Sequence, residues 1–380
     1  MAKKDINTFL YAITEADAEV FDLLVKDFDS FDQELKDKLL TYSVMNAPDT
    51  KFVEHVIEKC GFDIHYKDED GATLLHWAAG SNNPEMVKFF LAKGFDIEAK
   101  TEKTQETPFL YAAKYSENPQ VLQALIDAGA DTKTADIDGE TALIAAAGRN
   151  PAQEVTEFLL NLGFDPEERD KEGFTAILNA ARWQSNPNVI SLLAEAGANI
   201  TAKTNSGDTM YHLAARNEAS VIAGFIQDMF MTSEKNNEGD SCLDIALAYA
   251  ENPMTLQYYL MNMKTEHVML ACANKVPEIL EALFLDGYSP NTSDSSGKSA
   301  MMMAARMNTN PDVIKMLRFY DAIWNNTDNE GRTVLHYAAA NSDPAIYNWM
   351  LEDEDFKTLA RRADKAGHKP DYYLAHKEEF

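Results

Sequence analysis

Positive charge is scarce in this chain. Across 380 residues, 34 lysines and arginines face 62 aspartates and glutamates, a formal net charge of -28. A field of that sign repels polyanions, so neither nucleic acid nor an anionic membrane surface is expected as a partner. Cysteine is scarcer still. Cys60, Cys242 and Cys272 lie far apart and match neither a disulfide framework nor a metal-site spacing. They read as packed thiols. No apolar run approaches the ~20 residues of a membrane-spanning helix. The opening Met-Ala-Lys-Lys-Asp-Ile-Asn has charge but no apolar core of a secretion signal. The expectation is a cytoplasmic monomer, with signal-independent export left open. Catalytic signatures are lacking too: there is no Gly-x-Ser-x-Gly elbow and no His-Glu-x-x-His. Gly297-Lys298-Ser299 lacks the upstream glycine of a phosphate loop. No cofactor, no metal and no enzymatic activity are expected.

What the chain has is repetition. Residues 136–163 read Asp-Ile-Asp-Gly-Glu-Thr-Ala-Leu-Ile-Ala-Ala-Ala, then Gly-Arg-Asn-Pro, then Ala-Gln-Glu-Val-Thr-Glu-Phe-Leu-Leu-Asn-Leu-Gly. The turn at Asp138-Gly139 precedes a short helix over Thr141–Gly148. Asn150-Pro151 breaks and restarts the chain, and a second helix carries Val155, Phe158, Leu159 and Leu162 at helical spacing. Gly139, Gly173 and Gly207 repeat this phase every 34 residues. Self-similarity at that period predicts a mainly α solenoid of stacked helix–turn–helix units with short turn or hairpin connections. A single unit has too few apolar side chains to offset the ordering of its backbone, whereas a stacked unit buries both flanks.

The expected organisation is N-terminal capping helices over 1–35, a solenoid over 36–358, and a C-terminal half-repeat cap over 359–380. Units at 36–64 and 236–292 are weaker, because the turn glycine or the regular step is lost there. Gln105 stands where another turn glycine is due. The alanine pairs 78–79, 112–113, 180–181, 214–215, 304–305 and 338–339 recur where first helices must approach closely. His76, His212 and His336 share one repeat position and read as turn braces. The run Glu352-Asp353-Glu354-Asp355 reads as a solvated loop.

The pattern Asp-x-x-Gly-x-Thr-Pro-Leu-His-x-Ala-Ala, followed by a Val-x-x-Leu-Leu helix and Gly-Ala-Asp, resembles the ankyrin repeat. Asp68–Ala79, Asp328–Ala339 and Ala124–Asp131 carry it best. The resemblance covers roughly residues 36–380 in about nine or ten units. The chain departs from the family by placing Asn-Pro between the paired helices, where Asn is a strong N-cap and Pro suits the first helical position. The added residue accounts for a period of 34 where the family has about 33.

The resemblance implies a non-enzymatic scaffold that binds a protein across a concave face built from turn tips and first helices. The positions beside each Ala-Ala pair would line it: Trp77, Tyr111, Lys114, Tyr115, Arg149, Asn179, Arg182, Trp183, Arg216, Arg306 and Tyr337. Arg, Trp and Tyr are the usual anchors of interfaces. Two readings of this ladder stay open. It binds a partner, or its arginines pair with turn-tip acids such as Glu140, Glu172 and Asp208 and brace the stack. A separate possibility is an acidic inhibitor or effector that occupies the basic site of a nucleic-acid-binding or other basic partner.

Overall fold

The structure, a computed structural model, describes residues 6–26, 31–227, 234–259 and 267–380. Parts of the expected N-terminal cap (1–5 and 27–30) and of the weaker stretch (260–266) lie outside the described residues, as do residues 228–233. Among the described residues the regular structure is helical. The only pairing of extended backbone there is a set of isolated antiparallel bridges at turns, Lys67–Thr73, Ala135–Thr141, Lys235–Ser241 and Ser293–Ser299.

The chain forms two compact units, Met1–Ser206 and Gly207–Phe380. In the first, Ile6–Thr14 pairs with Ala18–Leu24 and Gln33–Asn46 with Thr50–Cys60. The first helices Leu74–Gly80, Pro108–Tyr115, Ala142–Arg149 and Ala176–Trp183 then stack in sequence. Their second helices are Pro84–Ala92, Pro119–Asp127, Gln153–Asn161 and Asn188–Glu195. The second unit continues the plan through Cys242–Tyr249, Ala300–Met307 and Val334–Ala339. The alanines of all six expected pairs are fully buried, which is what allows neighbouring first helices to approach.

The turn that opens a repeat braces itself, as before Ala142–Arg149. The Asp136 carboxylate accepts from the backbone N–H groups of Asp138 at 2.9 Å and Glu140 at 2.8 Å. Gly139 takes φ 85°, the left-handed region where a Cβ is unfavourable. The next turn docks on it, with Lys171 N–H donating to the Asp138 carbonyl at 2.9 Å. Gln105 keeps the left-handed conformation without being glycine, at φ 59°. Its side-chain amide donates to the Thr101 carbonyl at 3.0 Å and pins the turn from within.

The Asn-Pro expectation holds at Asn83, Asn118, Asn252 and Asn310, each an N-cap with Pro at the start of the following helix. Asn186 also caps, accepting from Asn188 N–H at 3.1 Å. Asn150 is a correction. The helix after it begins at Gln153 with Ala152 as N-cap, and Asn150 itself is buried. It lies two residues earlier in the repeat, in register with Ser116. Its amide donates to the carbonyls of Ala113 at 3.0 Å and Ser116 at 2.7 Å in the preceding repeat. Leu162, expected on the apolar stripe, lies beyond the helix at its C-cap and is exposed.

Asn150 belongs to a series of buried amides that no local sequence motif marks. Gln184 donates to Ala147 O and Asn150 O at 3.1 and 2.8 Å. In the second unit Asn274 donates to Leu247 O and Ala250 O. Asn308 donates to Cys272 O and Asn274 O, and Asn341 to Ala305 O and Asn308 O. Buried amides thus satisfy the free carbonyls at the C-terminal end of the neighbouring first helix, which would otherwise be unpaired.

The acidic run at 352–355 is a further correction. Asp353 caps the short helix Glu354–Lys357, and Asp353 with Asp355 clamps Arg318, each at 2.6 Å.

Candidate functional site

After the alanine pairs 112–113, 180–181 and 304–305 the residues Lys114-Tyr115, Arg182-Trp183 and Arg306-Met307 reach the surface, whereas Gly80-Ser81, Asn217 and Ala340-Asn341 stay buried. In the first unit the candidate residues form a connected strip. Trp77 meets Tyr111 edge-on with ring centroids 6.0 Å apart, and Tyr111 meets Tyr115 at 4.6 Å. Lys114 Nζ lies 5.7 Å from the Tyr115 ring and pairs with Glu106, both groups being largely buried. Burial alone would lower the Lys114 pKa, but the hydrogen bond and charge of Glu106 outweigh it and leave it raised.

Trp183 is the centre of the strip. Its side chain is 48% exposed. The Arg182 guanidinium lies 3.8 Å from its ring centroid and the Arg149 guanidinium, one repeat earlier, 5.4 Å. Beneath them Glu140 is buried, which raises its pKa, while the charges of Arg149 and Lys114 work in the opposite direction. Asn179 is buried as well. Its amide donates to Glu140 Oε1 at 3.2 Å and to the Ile144 carbonyl at 2.9 Å. Gly148 faces it, and a Cβ there would lie 2.4 Å from Asn179 Nδ2. Asn179 therefore braces the strip from below and does not line it.

In the second unit Arg216 lies over Tyr249, 4.7 Å from its ring centroid, and Arg306 over Phe380 at 5.7 Å. Tyr337 is buried and donates its hydroxyl to Asp328 Oδ2 at 2.7 Å. It supports the surface without offering its hydroxyl to solvent, a second departure from the expected placement. Tyr249 and Phe380 were not among the expected residues. Tyr249 occupies the Trp183 position, but its repeat has Leu247 where the alanine pair is due and a 32-residue step. Phe380 reaches the ladder from the C-terminal segment, which no periodicity within the repeats foretells.

The histidines brace turns as expected. Thr73 N–H donates to His76 Nδ1 at 3.1 Å, leaving Nε2 to donate to the Glu106 carbonyl of the next repeat at 3.1 Å. His212 and His336 repeat the arrangement with Asp240 and His368 carbonyls. Burial lowers the pKa of all three rings. Burial also raises the Cys60 and Cys242 thiols to about 12 and about 11, so they are protonated and unreactive at neutral pH. Among the described residues no group of His, Cys, Asp or Glu is arranged to hold a metal ion, and no helix is long and apolar enough to cross a membrane.

The family model for ankyrin repeats in three copies matches residues 9–101, 40–136, 109–204 and 268–360. Similar curated proteins include the palmitoyltransferase ZDHHC13 of Mus musculus, 32% identical over 94 residues, covering 23% of this chain and 15% of that protein. The palmitoyltransferase Hip14 of Drosophila melanogaster is 33% identical over 87 residues, covering 23% and 13%. The palmitoyltransferase ZDHHC17 of Danio rerio is 30% identical over 105 residues, covering 27% and 17%. The chain thus spans less than a fifth of the length of these relatives. The crystal structure of the ankyrin repeat domain of Bcl-3 aligns with 66% of this chain and 96% of that one, at 20% identity and a TM-score of 0.39. With the family model spread over both units, and with the bracing turns, buried alanine pairs and paired helices it describes, the chain belongs to the ankyrin-repeat family, whose repeats form protein–protein interaction domains.

Proposed function

We propose that this chain is a non-enzymatic scaffold that binds a protein partner through the outer ends of its first helices, the face that is concave in the family. The observation that carries the reading is the exposed Trp183 ring held between Arg149 and Arg182. An aromatic plane pre-oriented by two guanidiniums loses little side-chain freedom on binding, and Trp and Arg dominate the binding energy of interfaces. Trp77, Tyr111, Lys114 and Tyr115 extend the surface in the first unit, and Arg216 and Arg306 lie at the equivalent positions of the second. The expected ligand is an acidic or mixed segment with apolar anchors. The proposal takes the chain as a cytoplasmic monomer. Acyl transfer is not part of it, since the palmitoyltransferases share only a short stretch with this chain.

Affinity capture tests the reading. Unmodified chain and a folded Trp183→Ala, Arg149→Glu, Arg182→Glu variant are used side by side as bait. Loss of a captured partner by the variant alone supports it. A partner kept equally by both refutes it. If that retained binding also weakens steeply with salt, the acidic-surface mode takes its place, through exposed acids such as Asp70 and Glu172. Glu140, buried beneath Arg149, is unavailable for that mode.

A further inference from the structure

The second unit carries a place where the ladder is already occupied. Phe380 lies with its ring centroid 4.7 Å from that of Tyr337 and 5.1 Å from that of Tyr373, both edge-on at 82° and 88°. The Arg332 guanidinium sits 4.6 Å from the Phe380 ring and Arg306 5.7 Å. Arg332 Nη1 also donates to the Phe380 carbonyl at 3.2 Å. The cradle is rigid from below, because Arg332 Nε pairs with Asp328 at 2.7 Å and Tyr337 donates to the same carboxylate. The segment that delivers the ring folds back through a stack of Tyr372 on His376, ring centroids 4.2 Å apart. Lys377 donates to the Ser342 carbonyl at 3.1 Å and Tyr372 to Glu379 at 2.7 Å. Glu378 and Glu379 stand exposed beside Phe380, which is itself only half-buried.

We propose that the Arg306–Arg332–Tyr337–Tyr373 cradle is a docking site for an acidic segment of a partner protein that carries an aromatic side chain, and that Lys377–Phe380 occupies it in cis. The chain's own segment shows what the cradle takes: a ring received edge-to-face by two tyrosines and under two guanidiniums. Aromatic edge contacts and cation–π contacts are each modest, and they add where a pre-oriented cradle receives one ring. Both arginines are stacked on apolar rings within a chain of net charge -28, so a site for an acidic ligand is local and does not follow from bulk charge. The proposal rests on reading the first-helix ends as a partner-binding surface, and it adds that this part of the surface is covered by a removable intramolecular ligand.

A tethered ligand competes with a free one at its effective concentration. With ~1 mM effective concentration and an intrinsic Kd of ~0.1 mM, removing the tethered ring tightens trans binding about tenfold. The probe is a fluorescent, C-terminally amidated peptide, Ala-His-Lys-Glu-Glu-Phe, titrated with full-length protein. Phe380→Ala is expected to bind it about tenfold more tightly than the unmodified chain. Phe380→Leu, which keeps apolar bulk but loses the ring, is run in parallel and is expected to shift the same way. Adding Arg306→Glu to either is expected to abolish the gain, and a peptide with Ala in place of its Phe is expected not to bind. Equal binding by unmodified and Phe380-substituted chains, or equal binding of the two peptides, overturns the proposal. Because the assay reads residues 306–380 alone, it can fail while the Trp183 variant still loses its partner, and the reverse.

Discussion

Asn341 donates its side-chain amide to the backbone carbonyl of Asn308 at 2.8 Å, and Asn308 makes the same bond to Asn274 at 2.6 Å. Asn308 is thus at once the donor for the repeat before it and an acceptor for the repeat after it. The bonds are buried, so their loss leaves carbonyls without water. Asn308→Ala strands two of them, those of Cys272 and Asn274, and is expected to destabilise the second unit by about 2 kcal/mol or more. A urea midpoint unchanged from the parent would show that the amide series is not a structural stitch.

The first unit makes a related prediction at the candidate surface. In Gly148→Ala the new methyl meets Asn179, whose amide holds Glu140 and the Ile144 carbonyl. Overpacking of this kind costs about 1–3 kcal/mol. Thermal or urea unfolding measures it, and stability equal to the parent would mean that the Asn179 brace yields freely.

The three turn histidines give the stability a pH dependence of known sign. Their pKa values lie below the ordinary 6.5 because they are buried. Above that value both folded and unfolded rings are neutral, and their contribution is fully present. Below it the unfolded rings take up protons that the buried rings refuse, so stability falls with pH until the folded rings protonate too. Replacing all three with Gln is expected to flatten the urea midpoint between pH 7 and 5 relative to the parent. An identical slope in both would assign the acid sensitivity elsewhere.

Residues 242–258 and 267–271 are expected to exchange their amide hydrogens faster than 300–339. Pro253–Tyr258 is a 3-10 helix, and His267–Ala271 has only five residues. Tighter i→i+3 bonding has poorer hydrogen-bond geometry, and short helices bury less. Uniform protection across both regions would contradict this.

The helix pairs were legible in the sequence because they are written in period: a left-handed glycine, a Thr cap, an alanine pair, an Asn-Pro start. Those features are local, and their physical reasons act within a few residues. The amide series was not legible, because Asn150 stands next to Pro151 and imitates the capping pair found two positions later in other repeats. Only its burial against Ser116 shows the difference. The candidate surface was legible as a set of positions but not as contacts. Arg149 over Trp183 follows from the period, whereas the burial of Asn179 and Tyr337 depends on Gly148 and Asp328 in neighbouring elements. Phe380 lies outside the period altogether.

Oxidative footprinting of Trp183 in the complex with its captured partner, with Trp324 and Trp349 as internal references, decides whether the Trp183 surface is where the partner binds. Burial of the Arg149–Trp183–Arg182 surface is expected to slow Trp183 oxidation severalfold on binding while the references are unchanged. Equal oxidation of Trp183 in the free and bound chain would place the partner elsewhere and leave the two guanidiniums as braces of the stack.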